Sequence, residues 1–188
     1  ISMRVILLPF IILLFASCQD EVLIKPKAQL RLTYPIANYE EVRIGLPYHF
    51  KKNKEAVLKE KRNNALNLYY PAMKATFYLT YQKVDKNNLD SLLRDAQKLA
   101  YDHAVKAESI PEQPFVNKDK DVYGMFYMIN GNAATQAEFY ATDSLQHFVN
   151  GALYFDAKPN FDSIYPAGMY LRNDMRIIME TLAWKNEE

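Results

Sequence analysis

Hydrophobic and polar positions divide this chain into an apolar amino-terminal run, a short polar stretch and a long patterned remainder. The run from Val5 to Ala16 is nearly continuous in apolar residues and is interrupted by Pro9. Residues 19–28 are polar and contain Lys25-Pro26-Lys27. Beyond them, Gln29 to Pro35 alternates as a half-buried strand closed by proline. A second strand is expected within Val42 to Phe50, broken by Gly45 and Pro47. The basic stretch from Lys51 to Asn64 reads as a solvated loop or short exposed helix. Ala65 to Tyr70 and Met73 to Gln82 predict two strands with a tight connection at Pro71-Ala72. Leu89, Leu92, Leu93, Ala96, Leu99, Ala100, Ala104 and Ala107 recur at helical spacing and predict a helix over about 88–107. Asn87 would cap it, with Asp90 in the capping-box position.

Ile110 to Pro114 reads as a loop. Val122 to Ile129 predicts a strand, Asn130-Gly131 a tight hairpin, and Thr135 to Thr142 the returning strand. After a turn at Asp143-Ser144, the next strand runs from His147 to Ala157. Ile164, Ala167, Gly168, Leu171, Met175, Ile178 and Leu182 form one stripe of a closing helix. Asp162 would cap it and Pro166 would sit in its first turn, where proline costs least. Strands grouped between single helices indicate an α+β fold, with one antiparallel sheet of about six strands and two main helices packed on it.

Composition changes the reading of the amino terminus most. Arg4 is the only charge before Asp20, and the apolar run between them is too short for a bilayer span, which needs about 20 residues. A basic residue, a short apolar core and small residues before a cysteine describe a secretory signal peptide. Leu14-Phe15-Ala16-Ser17-Cys18 resembles a lipobox. That resemblance implies cleavage after Ser17, a diacylglyceryl thioether on Cys18 and an acyl group on the new amine. The chain then divides into a signal peptide (1–17), a lipidated tether (18–28) and one α+β domain (29–188). The competing readings of the run are a buried terminal strand and an uncleaved anchor helix. Cys18 is the chain's single cysteine, so no intramolecular disulfide forms. Gln19 is not the aspartate of inner-membrane retention, which points to the outer membrane; the domain is expected to face the periplasm, and the resemblance of Gln19-Asp20-Glu21 to a surface-export signal keeps the cell surface as the alternative.

With 23 Lys and Arg against 22 Asp and Glu, the chain carries no electrostatic footprint for nucleic acid. Neither a glycine-rich phosphate loop, a Cys-x-x-Cys nor a His-Glu-x-x-His is present, so no cofactor, metal site or catalytic residue is assigned. Asp143, Ser144 and His147 hold the residue types of a hydrolytic triad, but their closeness in sequence fits a solvated turn better. Asp102-His103 fits a helix-end role, and His49 has no evident partner. Adjacent aromatics such as Tyr69-Tyr70, Phe77-Tyr78 and Phe126-Tyr127 must point to opposite faces of their strands. Either elements cover both faces of the sheet, or one face offers an aromatic surface to a partner.

The segments Asn88 to Ala96, Val122 to Tyr127, Gly131 to Gln136, His147 to Phe155, Asp174 to Arg176 and Met179 to Trp184 resemble the gliding-motility lipoprotein GldD family of Bacteroidetes. The resemblance runs from Cys18 to Trp184 and implies a role in gliding motility and the linked type IX secretion machinery. Other envelope proteins of that machinery would be the partners, and it implies no catalytic residues. The strand Gly151 to Phe155 followed by the closing helix is also similar in architecture to the PsbP-type α/β sandwich. The resulting expectation is a non-enzymatic, lipid-anchored assembly protein. Its rivals are an envelope carrier of small ligands in an aromatic cavity and a hydrolase of envelope polymers.

Overall fold

The computed structural model describes residues 33–43, 45–60, 64–102, 105–156, 158 and 160–185. Cys18, its flanking residues, residues 29–32 of the strand expected over 29–35 and His103 lie outside that set, and residues 33–35 are not strand.

Among the described residues, twelve strands and two α-helices follow the order β1 (Tyr39–Val42), β2 (Tyr48–Asn53), β3 (Val57–Glu60), β4 (Ala65–Tyr70), β5 (Ala75–Lys83), α1 (Leu89–Asp102), β6 (Ala107–Ser109), β7 (Glu112–Asn117), β8 (Val122–Met128), β9 (Asn130–Gly131), β10 (Thr135–Thr142), β11 (His147–Phe155), α2 (Phe161–Thr181) and β12 (Ala183–Trp184). The α+β class is as expected. The expectation of one six-stranded sheet is corrected: a seven-stranded sheet runs β3-β4-β5-β11-β10-β8-β7, with a three-stranded sheet β1-β2-β12 and a two-stranded ribbon β6-β9.

Period-two alternation sorts the large sheet into two faces. Leu66, Leu68, Tyr70, Phe77, Leu79, Tyr81, Val149, Leu153, Phe139 and Phe126 share one face and belong to one buried cluster. α2 covers this face with Leu171, Met175, Ile178 and Met179, and β2 adds Tyr48 and Phe50. On the opposite face α1 lays Leu89, Leu92, Leu93 and Ala96 over Val84, Phe148 and Tyr140. Away from α1 that face opens: Tyr78 is 41% exposed, and Tyr69 and Tyr154 are half buried. One face is therefore closed and the other closed only in part.

Several local expectations change. The basic run is not a loop, because β1 brings acid to it: Glu40 pairs with Lys52 and Glu41 with Lys51 in register, opposite charges that stabilise a strand pair. The loop at Ile110 to Pro114 is largely β7, an edge strand, where proline's missing N–H costs no ladder bond. Asn130-Gly131 is not a two-residue hairpin turn; it forms β9 and pairs with β6, Gly131 at φ 106°. Pro166 sits in the second turn of α2, whose N-cap is Asn160 rather than Asp162. Among the described residues no helix is long and apolar enough to cross a membrane.

Candidate functional site

Three distant segments meet at one end of the sandwich. The β7–β8 turn contributes Asp119 to Asp121, the β10–β11 turn Asp143 to Gln146, and the end of the chain Ala183 to Lys185. They line an open cleft of about 1040 Å³ with His147 and Trp184 between them.

Each segment is shaped locally. At the β7–β8 turn, Asn117 Oδ1 accepts from the Lys120 amide at 3.3 Å, and Asp121 takes the left-handed conformation at φ 50°. At the β10–β11 turn, Asp143 Oδ1 accepts from the amides of Leu145, Gln146 and His147 at 2.9, 2.8 and 2.8 Å. The aspartate thus satisfies donors that a turn leaves open. α2 ends at Leu182, whose extended backbone (ψ 135°) turns the chain into β12. β12 pairs with β2, and Trp184 Nε1 donates to the Asp121 carbonyl at 2.9 Å.

A stack of rings runs from the cleft into the core beneath it. The His147 imidazole lies over the Trp184 indole at 5.0 Å and 16°. Its Nδ1 is 2.9 Å from the Tyr81 hydroxyl. Tyr48 meets Trp184 edge-on at 6.4 Å and stacks on Tyr81 at 6.0 Å. The Tyr48 hydroxyl is buried with no hydrogen-bond partner among the described residues, and burial pushes its pKa up.

Asp143, Ser144 and His147 do converge here, and two of their atoms are already engaged. His147 is 5% exposed, so it is not part of a solvated turn. Its Nδ1 is engaged by Tyr81, and Asp143 Oδ1 by three amides. What remains at the rim is a mixed set of charges, Asp119, Asp121, Lys120 and Lys185, suited to polar recognition. His49 has a partner after all: Nδ1 is 2.9 Å from Glu41 Oε1 on β1. Asp102 ends α1 in an exposed position. Among the described residues no group of three His, Cys, Asp or Glu side chains is placed to hold a metal ion.

Two buried polar centres on α2 fix the surrounding elements. Asp174 accepts from the Tyr39 hydroxyl at 2.6 Å, the Asn53 amide at 2.8 Å and the Tyr70 hydroxyl at 3.1 Å. Burial raises its pKa, and the three donors oppose that shift. Arg172 donates to the carbonyls of Gln136 and Ile129 at 2.9 and 2.6 Å and to Asn130 Oδ1 at 2.8 Å. It therefore locks the β8–β10 connection, while burial lowers its own pKa. Reasoning from sequence missed Trp184, Asp119 and Asp121 as cleft residues. The available signal was that Trp184 is the chain's single tryptophan.

Comparison with known proteins gives one family: the chain matches the family described as Gliding motility lipoprotein GldD over residues 19–184. No curated protein matches it.

Proposed function

Because the chain belongs to the gliding motility lipoprotein GldD family, a family of lipid-anchored envelope proteins, we propose that it is a docking protein of the gliding and type IX secretion machinery. Cys18 would carry the lipid, the outer membrane would hold it, and the domain would face the periplasm. Confinement to a membrane raises the effective concentration of a weak binding site by orders of magnitude. The observation that carries this reading is the cleft at His147 and Trp184, built from three segments far apart in sequence and rimmed by charges of both signs. The partner it fits is a polar peptide segment of another envelope protein.

A photo-crosslinking residue at Leu145, 76% exposed on the rim, tests this in intact envelopes. It should capture a gliding or secretion component, whereas the same residue at Val57, on edge strand β3, should not. Equal capture from both positions, or none from Leu145, would overturn the reading.

One observation favours a hydrolase: His147 and Asp143 share the cleft. Asp143→Asn retains an oxygen for the three amides and should leave gliding intact. Loss of gliding at normal protein level would move the assignment to a hydrolase. The carrier reading has less support, since only Tyr123 among the strand tyrosines lines the cleft.

A further inference from the structure

Phe161, Tyr165 and Met169 follow one another at four-residue spacing in α2, so they stand on one helix face. Tyr165 is 38% exposed and Met169 46% exposed. Phe161 is half buried, and its ring meets Tyr165 edge-on at 5.3 Å. This stripe is separate from the inward one of Leu171, Met175 and Ile178, which is fully used by the core. Toward the carboxy-terminal end of the helix the outward positions turn polar, with Asn173 and Glu180 exposed.

The amino-terminal segment runs beside this helix with a readable direction. Tyr39 bonds Asp174, and Tyr34 stacks on Tyr170 at 5.2 Å, one turn nearer the helix start. Followed backward, the chain therefore travels toward the end of α2 that carries the exposed stripe. Ile36, between those two contacts, is 96% exposed. Fifteen residues separate Tyr34 from Cys18, which limits the anchor to roughly 50 Å from this point at full extension. Lys25, Lys27 and Arg31 lie in that interval and favour an anionic surface.

We propose that the amino-terminal face of α2 rests on the surface of the membrane that holds the lipid anchor. This rests on the reading of Cys18 as the lipidated residue. Exposed aromatic and apolar side chains beside a basic tether are what an interfacial contact requires. An α-helix rises 1.5 Å per residue, so the ends of this helix are about 30 Å apart. Its far end leads into Trp184 and the cleft. A contact confined to the near end of that face fixes the direction in which the cleft points.

The test uses the full lipidated chain in vesicles of phosphatidylethanolamine and phosphatidylglycerol. Since Cys18 would be acylated, a new cysteine at Met169→Cys or Tyr165→Cys accepts a polarity-sensitive dye alone, and Leu145→Cys reports the cleft. Flotation comes first. A chain that does not float with the vesicles overturns the anchor reading and this proposal with it. For a chain that floats, the dye at 169 and at 165 should shift to the blue and brighten several-fold on reconstitution, with no change at 145. Water-like emission at both helix positions overturns the proposal while leaving the anchor intact. A blue shift that disappears as protein is diluted into excess lipid would assign the face to a second copy of the chain instead.

Discussion

At the scale of single residues, Glu138 is the group whose chemistry the fold changes most legibly. It sits on β10, 3% exposed, and burial, followed by the charge of Asp102, pushes its carboxyl up to about 8. The unfolded chain releases that proton near the ordinary glutamate value, about 4.3. Between the two values the folded state holds the extra proton. Stability therefore falls as pH rises through this window and levels off above it. The slope can approach about 1.4 kcal/mol per pH unit. Glu138→Gln mimics the protonated side chain and should flatten that slope, matching the parent near pH 4 and exceeding it at pH 9. Urea titrations at pH 4, 6 and 9 measure this; an unchanged slope in the variant would place the titration elsewhere. Asp174 behaves differently because its value lies in three donors from β1, β2 and β4. Asp174→Ala leaves buried Tyr70 and Asn53 without that acceptor, at a cost of about 3 kcal/mol, read as a lowered denaturation midpoint.

At the scale of elements, close strand approach is a requirement that hydrophobic patterning does not report. Gly124 on β8 faces Ala141 of β10, and a Cβ there would run into the Tyr140 carbonyl and, at 2.8 Å, the Met179 side chain. Gly124→Ala should cost about 1–3 kcal/mol and loosen α2 on the sheet, which hydrogen exchange of the β8 and β10 amides would detect. The β8-β10-β11 meander, β4, β5 and both helices were legible because each carries its period over seven or more residues or between clear breakers. α1 was overextended, ending at Asp102 rather than near 107. β7 was missed since Pro114 reads as a breaker unless the strand is known to be an edge. β3 and the second half of β2 were missed because Lys51 and Lys52 read as solvated until Glu40 and Glu41 are seen opposite them. Lys52 Nζ lies 2.6 Å from Glu40 Oε1 and donates to the Ala56 carbonyl at 2.8 Å. The cleft shows the same limit. His147 was visible as a candidate, but its ring partners Tyr81 and Trp184 depend on pairing across the sandwich.

At the scale of the whole molecule, the lipid proposed for Cys18 and the cleft would do separable work if docking is the function. A binding site confined to a surface gains effective concentration without gaining any contact. Losing the anchor should then be a loss of concentration alone. Cys18→Ala, exported through a signal peptide that leaves no lipid, should lose fatty-acid labelling, leave the membrane fraction and fold normally by circular dichroism. Gliding should fail at native expression and return in part when that soluble chain is overproduced. The rescue should need the cleft, so Cys18→Ala combined with Trp184→Ala should stay non-gliding at the same level. If overproduction restores nothing while the soluble chain is folded and abundant, tethering does more than concentrate the domain. The orientation imposed by the amino-terminal face of α2 would then be the term that overproduction cannot replace. In that event Tyr165→Ser in the anchored chain should also impair gliding, with membrane retention unchanged, because the direction in which the cleft points has been altered.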